Sequence, residues 1–436
     1  MIEIAQDFCD NRKYVRWRGV NLDRVIFHVD QNCYFASVEM ISHPEYRNVP
    51  MAVAGDKERR HGIILAKNQL ASKAGVKTAE AIWQAQSKCP DLVLAVPHYD
   101  KYVFYSGKLR EMYLEYTDKV EPFGLDECWL DLTDTIGDRT PLEVADEIRE
   151  RVKAEFGLSC SIGVSFNKIF AKLGSDYKKP DATTVITKDN FKQIVWPLPC
   201  SDLLFVGKST GQRLSKVNIK NIGDLANTDR SFLIEYLGKS GNALWLYANG
   251  LDDSEVKSAD YKRTVKSVGN STTTAEDMTN RNEVSGTLLS LSSSVASRLR
   301  KAGMKGRVIQ ITVKDRDLSI YEKQKILFNA TDNSSTIHKA AMELFDESYD
   351  WHSSVRSIGV RLTDLVSNEA PEQISIFEEV QKIDKNDKLE KTIDLIKERY
   401  GKESLIHLAE LQGDPKDGRG KGVSSKNAED FEDSKN

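Results

Sequence analysis

The sequence predicts a mixed α/β (α+β) protein that is built from several domains. Over the first 200 residues, short apolar runs typical of buried strands alternate with longer segments of helical spacing. A polar stretch at 252–261 follows, and a second alternation of strand and helix patterns begins after it. The chain has 436 residues, which at about 100–200 residues per domain is enough for about two to four domains.

The first half of the chain begins with a polar extension at 1–23. An apolar strand at 25–29 then ends in Asp30, and helical spacing follows over 33–41. We predict further strands at 50–54, 62–66, 125–132 and 159–164, and helices at 69–88, 99–118 and 141–156. This order indicates an α/β or split βαβ unit.

The second half of the chain contains a helical region, a linker and another α/β unit. Helix signals separated by glycine turns fill 200–250, and 252–261 is predicted to be a linker. Strands are predicted at 308–313 and 357–362 and a helix at 288–299, while 385–411 has the pattern of one or two helices. Residues 412–436 have few apolar side chains, so they are predicted to be disordered.

Composition excludes several classes of protein. Hydrophobic residues make up 40% of the chain and charged residues 29%, which is typical of soluble globular proteins. We find no apolar run near the roughly 20 residues that a membrane span needs, and no apolar signal-peptide core at the start of the sequence. The six cysteines lack CxxC spacing and the seven histidines lack HExxH spacing. A zinc ribbon, a disulfide framework and a His-based zinc enzyme are therefore not expected, and a reducing cytoplasm is.

The net charge of −4 conceals an uneven distribution of charge. Residues 262–325 carry 13 Lys and Arg against 6 Asp and Glu. A basic segment on an acidic protein is typical of contact with a polyanion. A solvated helix face would give the same pattern.

Two groups of carboxylates stand at strand ends. Asp30 ends the first strong strand, and Asp126 and Glu127 begin another strand after a turn. Clustered carboxylates are costly unless a cation neutralises them, and Mg²⁺ prefers oxygen ligands. The pattern therefore fits a two-metal phosphoryl-transfer site. The alternative is structural: Asp30 would cap the next helix and Asp126 would belong to the turn.

Three longer motifs favour the metal site. HVDQNCYFASVEM (28–40), GLDECWLDL (124–132) and SIGVSFNKIFAKLGSDYKKPDA (161–182) resemble, in order and spacing, the Y-family of translesion DNA polymerases, in its DNA polymerase IV branch. The resemblance implies a right-hand fold with a ferredoxin-like palm and small fingers (24–199), a helical thumb with a helix-hairpin-helix (200–251), and a separate α/β little finger (262–367). It implies a nucleotidyltransferase that copies a DNA template with errors and takes part in damage tolerance and repair. No second carboxylate-rich stretch indicates a proofreading exonuclease.

The resemblance also implies roles for individual residues. Asp30 and Asp126 match metal ligands, Glu127 the second carboxylate beside the catalytic metal, and the backbone carbonyl of Gln31 a further ligand. The implied cofactors are two Mg²⁺ ions, for which Mn²⁺ can substitute. Lys179 matches a lysine that contacts the incoming triphosphate, and Phe35 matches the steric gate that excludes a 2′-hydroxyl. Without the resemblance, Lys179 would be interpreted as a solvated loop residue and Phe35 as a core residue.

One part of the sequence departs from the family pattern. The family has a tyrosine and an arginine that grip the β- and γ-phosphates, and this chain has Gln69 and Ser72 there. Serine lacks the charged, bidentate fork of arginine. Lys67 or Lys73 could compensate, although Lys73 could equally be a solvated helix residue.

Partners are implied by the same resemblance and by one short motif. The substrates are primer-template DNA and dNTPs, and a monomer in the bacterial cytoplasm, without membrane attachment, is expected. Within a segment at 368–380, Gln373, Ile376 and Phe377 resemble the bacterial sliding-clamp motif, and a helical segment at 381–411 follows. Alternatively, Ile376 and Phe377 could pack back onto the little finger.

Three other functions remain open at this point. Gln69 and Ser72 would suit a DNA-binding accessory protein with a degenerate palm. A two-metal nuclease would use the same carboxylates but would need neither a sugar gate nor a triphosphate lysine. Within the family, the alternative is an UmuC-like enzyme that depends on partner subunits.

Overall fold

A computed structural model describes residues 16–17, 20–21, 24–55, 62–369, 380–401 and 404–405 of the chain. These residues divide into two compact units. The first unit includes 24–54 and 64–261, and the second includes 262–369 and 380–401. In the described part of the chain, no helix is both long enough and apolar enough to cross a membrane.

The first unit contains ten strands and eleven helices among its described residues. The strands are β1 (Arg16–Trp17), β2 (Val20–Asn21), β3 (Ile26–Gln31), β4 (Met51–Ala54), β5 (Ile64–Lys67), β6 (Val93–Ala95), β7 (Val120–Pro122), β8 (Glu127–Asp131), β9 (Cys160–Ser165) and β10 (Thr183–Ile186). The helices are α1 (Tyr34–Ser42), α2 (Gln69–Lys73), α3 (Ile82–Lys88), α4 (Tyr99–Tyr113), α5 (Pro141–Phe156), α6 (Lys168–Tyr177), α7 (Phe191–Ile194), α8 (Lys208–Lys216), α9 (Ile222–Asn227), α10 (Arg230–Leu237) and α11 (Lys239–Ala248).

A five-stranded sheet with the order β10-β9-β3-β8-β7 forms the centre of this unit. All neighbours are antiparallel except β10 and β9. Strand β3 is buried on both faces, as its apolar run predicts. Phe27 and Val29 point into a large core that also contains apolar side chains of α4 and α5. Ile26 points to the opposite face, where it packs with Ala171 of α6.

Helix α6 lies unusually close to the sheet because two glycines face each other. A β-carbon at Gly163 of β9 would lie 1.8 Å from the carbonyl oxygen of Ala171, and one at Gly174 would lie 3.0 Å from the Cα of Gly163. Real β-carbons essentially never show the first distance and rarely show the second, so the two glycines allow the helix to rest directly on the strand. This contact sets the height of α6 above β3.

A smaller, three-stranded sheet has the order β5-β4-β6, and its strands lie between β3 and β7 in the sequence. The prediction of one continuous helix at 69–88 is wrong. The segment forms two helices, α2 and α3, which are separated by turns at Gly75 (φ +86°) and Ala79 (φ +65°). Asn68 holds the start of α2: its side-chain amide oxygen Oδ1 accepts hydrogen bonds from the backbone N–H groups of Ala71 and Met51. This cap determines where the first turn of α2 stands.

The segment 252–261 is not a free linker along its whole length. Val256 is buried with Ile26 and Trp129, the backbone N–H of Lys257 donates to Glu121, and that of Ala259 donates to the carbonyl of Asp118. Its polar composition, which predicted a linker, reflects the exposed side chains around one buried valine. The segment is therefore anchored to the first unit at Val256, Lys257 and Ala259.

The second unit is a four-stranded antiparallel sheet with helices. Its elements are β11 (Ser267–Met278), α12 (Arg281–Lys301), β12 (Met304–Asp315), β13 (Ile320–Thr331), α13 (Ser334–Ser348), β14 (Val355–Ser367) and α14 (Val380–Tyr400). The strand order is β11-β14-β12-β13, and α12 and α13 share a core with the inner face of the sheet. Arg300 of α12 forms ion pairs with Glu390 and Asp394 of α14. The segment 1–15, the motif at 373–377 and the tail at 412–436 lie outside the described residues.

Candidate active site

Strands β3 and β8 place two carboxylates directly opposite each other. Asp30 pairs in register with Glu127 across the antiparallel ladder, where facing β-carbons lie about 4.5–5.5 Å apart. The side chain of Asp30 is 5% exposed and that of Glu127 is 21% exposed. Two like charges in such a position destabilise a sheet unless cations neutralise them.

The structural alternative for Asp30 is wrong. The residue that precedes α1 is Cys33, and no side chain caps that helix. The carboxylate of Asp30 instead accepts a hydrogen bond from the Lys179 ammonium at 2.6 Å. Lys179 also contacts Asp176 at 2.7 Å, so it bridges two acidic side chains.

Helix α6 supplies a second ammonium group that the sequence reasoning missed. Lys172 lies 2.6 Å from Glu127. It stands three and four residues before Ser175 and Asp176, a spacing that puts all three on one face of α6. The motif 161–182 contains Lys172, but only contacts across 45 residues of sequence reveal its partner.

His28 is a further residue that the sequence reasoning did not assign. It is fully buried between β3 and α6, with Nδ1 2.8 Å from the Ser175 hydroxyl and Nε2 3.3 Å from Glu127. Burial lowers the pKa of His28 to about 4, so the imidazole is neutral at physiological pH. Since His28 and Asp30 alternate with Val29 on β3, period-2 spacing could have placed His28 on the carboxylate face.

Asp126 lies just before β8, and its backbone forms a hydrogen bond with the end of β3. The backbone carbonyl of Asp126 accepts a hydrogen bond from the N–H of Gln31 at 3.0 Å. Among the described residues, the donor atoms of His28, Asp30 and Glu127 lie within 4.8 Å of one another and could hold a metal ion. The structure brings Asp30 and Glu127 into this group, whereas the carboxylate of Asp126 is not part of it.

The pKa values of Asp30, Asp126 and Glu127 are strongly shifted from their usual range. Burial raises the pKa of Asp30 to about 7, and the charge of Glu127 adds to this effect although Lys179 opposes it. Burial and the charge of Glu127 likewise raise the pKa of Asp126 to about 6. Burial also acts to raise the pKa of Glu127, but His28 and Lys172 outweigh it and lower that pKa to about 2. Such crowded carboxylate oxygens fit a hard divalent cation, which would relieve their repulsion.

A cleft of about 250 Å³ opens beside the carboxylates. It is lined by Gln31, Asn32, Cys33, Gln69, Ser72, Lys179 and Pro180. The two residues that depart from the family pattern, Gln69 and Ser72, therefore face the same space as Lys179. The amide of Gln69 rests only 3.5 Å from the thiol of Cys33. Lys67 donates to Thr78 at 3.3 Å, and Lys73 is exposed on α2.

Phe35 lies on α1 with one face of its ring covered. The ring stacks on Tyr102, with centroids 4.2 Å apart and planes within 8°, and meets Tyr99 edge-on at 5.8 Å. Tyr102 is itself fixed by a short hydrogen bond to the buried carboxylate of Glu39. Phe35 is only partly buried, so this arrangement leaves part of a firmly supported ring exposed.

Comparison with known proteins agrees with this fold and these motifs. The impB/mucB/samB family model matches residues 29–176, and the model of that family's C-terminal domain matches 265–376. DNA polymerase IV of Acetivibrio thermocellus is 47% identical over 383 residues, which cover 87% of this chain and 96% of the relative. DNA polymerase IV of Oceanobacillus iheyensis is 37% identical, with coverage of 88% and 91%. The solved Y-family DNA polymerase chimera of Dbh and Dpo4 shares the fold, with a TM-score of 0.70 and 22% identity, over 79% of this chain and 100% of that one.

The fold and the matched domains define the class as a Y-family DNA polymerase. The chain belongs to that family, in its DNA polymerase IV branch. The predictions of a right-hand fold and of a DNA-directed DNA polymerase of the translesion type are thereby confirmed.

The raised pKa of Asp30 predicts how stability depends on pH without metal. An aspartate in an unfolded chain titrates near 4, so the stability from the protonated, buried carboxyl is complete below about pH 4 and is lost as the pH rises through about 7. In EDTA, Asp30→Asn should therefore raise the melting temperature by several degrees relative to the unsubstituted protein at pH 8, and by less at pH 5. The exposed Asp138→Asn is the control and should give a difference that is independent of pH. An equal gain for Asp30→Asn at both pH values would contradict the raised pKa.

Proposed function

We propose that the chain adds a dNMP to a primer 3′-hydroxyl at the site formed by Asp30, Asp126 and Glu127. The observation that carries this proposal is the cross-strand pair of Asp30 and Glu127, whose buried charges need cations. Two divalent ions, Mg²⁺ or Mn²⁺ in its place, would polarise the primer hydroxyl and neutralise the triphosphate. Asp30, Asp126, Glu127 and the backbone carbonyl of Gln31 are the proposed ligands.

Lys179 is proposed to bind the phosphates of the incoming dNTP. Its ammonium group now neutralises Asp30 and Asp176 at the wall of the cleft. A lysine is a compact point charge that suits phosphate oxygens. Once divalent cations neutralise the carboxylates, the Lys179 ammonium is available to a phosphate bound in the cleft that Lys179 lines.

Lys67 and Lys73 are proposed as supplementary phosphate contacts, because the nearby Gln69 and Ser72 carry no charge. Lys67 is the better placed of the two: burial raises the pKa of the Cys33 thiol, which lines the cleft, and the nearby charge of Lys67 acts against that rise. Lys73 is exposed and shares α2 with Gln69 and Ser72. Gln69 itself offers an amide donor that is held only by a weak contact with a thiol.

Substitution of the carboxylates tests the catalytic site. Asp30→Asn, Asp126→Asn and Glu127→Gln should each lower the rate of primer extension with Mg²⁺ and dNTPs by about two to three orders of magnitude, because each removes charge at nearly constant volume. Binding of primer-template DNA, followed by fluorescence anisotropy, should change little. Asp138→Asn serves as the matched control with full activity. If the primer were degraded and not extended, a two-metal nuclease would be favoured. If the primer were neither degraded nor extended, an accessory protein would be favoured.

The exposed part of the Phe35 ring is proposed to exclude ribonucleotides. Phe35→Ala should increase rNTP incorporation relative to dNTP incorporation by at least about tenfold, because the ring edge would meet the 2′-hydroxyl. Single-nucleotide incorporation kinetics with matched rNTP and dNTP measure this ratio. Phe104→Ala removes an exposed aromatic ring from α4 and should leave the ratio unchanged. A folded Phe35→Ala protein with the original selectivity would return Phe35 to a packing role.

Gln373, Ile376 and Phe377 are proposed to dock on the sliding clamp as an extended peptide. Two apolar side chains and one amide would form a small cluster of the kind that dominates peptide interfaces. Changing Ile376 and Phe377 together to Ala should abolish stimulation of extension by the cognate clamp, while extension on bare primer-template stays normal. Persistent stimulation, or a melting temperature lower by several degrees, would instead mean that both side chains pack on the little finger.

A further inference from the structure

The loop that carries Lys179 connects two elements of the central sheet. Residues 178–182 join the end of α6 to the start of β10 and contain no regular helix or strand. The ammonium of Lys179 nevertheless meets the carboxylate of Asp30 at 2.6 Å. The position of this ammonium therefore depends on the contacts that hold the loop.

Arg149 of α5 holds the loop at Asp181, two residues after Lys179. The Nη2 atom of Arg149 donates to the backbone carbonyl of Asp181 at 2.6 Å and to its carboxylate at 2.8 Å. The Nε atom of Arg149 donates to the same carboxylate oxygen at 3.2 Å. The planar guanidinium group can make such contacts in one fixed orientation. A single side chain therefore fixes both the main chain and the side chain of Asp181.

Two neighbours on α5 reinforce this anchor. Lys153, four residues after Arg149, lies 2.8 Å from the other carboxylate oxygen of Asp181. Asp146 accepts hydrogen bonds from Arg149 at 2.8 Å and from the hydroxyl of Thr183 at 2.7 Å. Burial acts to raise the pKa of Asp181, but Lys153 and Arg149 outweigh it and hold that pKa below its usual range. Helix α5 therefore binds the ionised Asp181 and the first residue of β10 together.

The backbone of Asp181 shows that the loop is held in a defined conformation. Its φ angle of +51° lies in the left-handed region, which aspartate adopts more readily than most residues but still infrequently. Such a conformation persists where the surrounding contacts fix it. The side chain of Arg149, which supplies most of these contacts, is only 14% exposed.

We propose that Arg149 is a positioning residue for the incoming dNTP, which acts by fixing Asp181 and thereby the loop that carries Lys179. Arg149 is not among the described residues that line the cleft, so its effect on a bound triphosphate passes through the loop. With the main chain held in place, Lys179 exchanges Asp30 for a phosphate by movement of its side chain alone. The inference rests on the proposed function, because it requires Lys179 as a phosphate contact.

Kinetics with a matched dNTP test this role. Arg149→Gln removes the charged fork and should raise KM for the dNTP about fivefold with little change in kcat, because a loosened loop weakens binding of the triphosphate. The dissociation constant of the dNTP, measured with a dideoxy-terminated primer so that no bond forms, should rise by a similar factor. The dissociation constant for primer-template DNA should stay unchanged.

A double substitution shows whether Arg149 acts through Lys179. Lys179→Gln should itself raise KM for the dNTP, and the addition of Arg149→Gln should raise KM further by less than about twofold. If the two residues acted independently, the two factors would multiply.

Arg151→Gln is the matched control. Arg151 lies on the same helix as Arg149 and also forms two ion pairs, with Glu115 at 2.8 Å and Glu155 at 2.6 Å. These contacts do not involve residues 178–182, so Arg151→Gln should leave KM for the dNTP unchanged.

Three results would overturn the inference. An unchanged KM in Arg149→Gln, together with a raised KM in Lys179→Gln, would show that the loop needs no such anchor. A lower kcat and melting temperature without a change in KM would assign Arg149 a purely structural role. Multiplication of the two factors in the double variant would show that Arg149 acts independently of Lys179.

The proposed function stands under each of these three results, because the unsubstituted protein still extends primers. An unchanged KM in Lys179→Gln would remove Lys179 as a phosphate contact, and the inference would fail with it. If the unsubstituted protein did not extend a primer, the proposed function itself would fail.

Discussion

Asp30 and Glu127 face each other across two buried strands, and the structure around them depends on neutralising that pair. Lys179 approaches Asp30 and Lys172 approaches Glu127, so each carboxylate already has its own cation. Even so, burial and mutual repulsion hold the pKa of Asp30 near 7. Lys179 therefore compensates Asp30 incompletely, whereas His28 and Lys172 hold the pKa of Glu127 near 2. A cation of higher charge density at the same place would stabilise the folded protein further.

Both lysines reach the carboxylates only because α6 lies directly on the sheet. The contact between Gly163 and Gly174 removes the side chains that would otherwise hold helix and strand apart. Since Lys172 is on this helix and Lys179 follows it by two residues, the height of α6 sets the position of both charges. The same closeness buries His28 against Ser175, and its neutral ring then helps to hold Glu127 ionised. A packing feature of the sheet thus determines the electrostatics of the site.

The sequence indicated the three carboxylates as candidate ligands but missed Lys172 and His28, which contact Glu127. Asp30, Asp126 and Glu127 stand at strand ends within long motifs, and such local patterns can be read directly. Lys172 and Glu127 are 45 residues apart in the sequence, and His28 and Ser175 are 147 apart. No local pattern in the sequence can therefore reveal these contacts. The break at Gly75 and Ala79 was missed for a related reason: helical spacing continued through it, and only positive φ angles mark the turn. Val256 shows the converse, since one buried residue anchors a segment whose composition is that of a linker.

The uneven distribution of charge around the cleft links metal and nucleotide in the proposed function. Among the described residues that line the cleft, Lys179 is charged, whereas Gln69 and Ser72 are not. The ammonium that would bind phosphate is also the one that neutralises Asp30. Binding of divalent cations to the carboxylates would therefore free Lys179 for the triphosphate, and before that exchange a triphosphate would meet only the proposed contacts from Lys67 and Lys73. A tyrosine and an arginine in place of Gln69 and Ser72 would weaken this dependence, because they would hold phosphates whether or not Lys179 had been released.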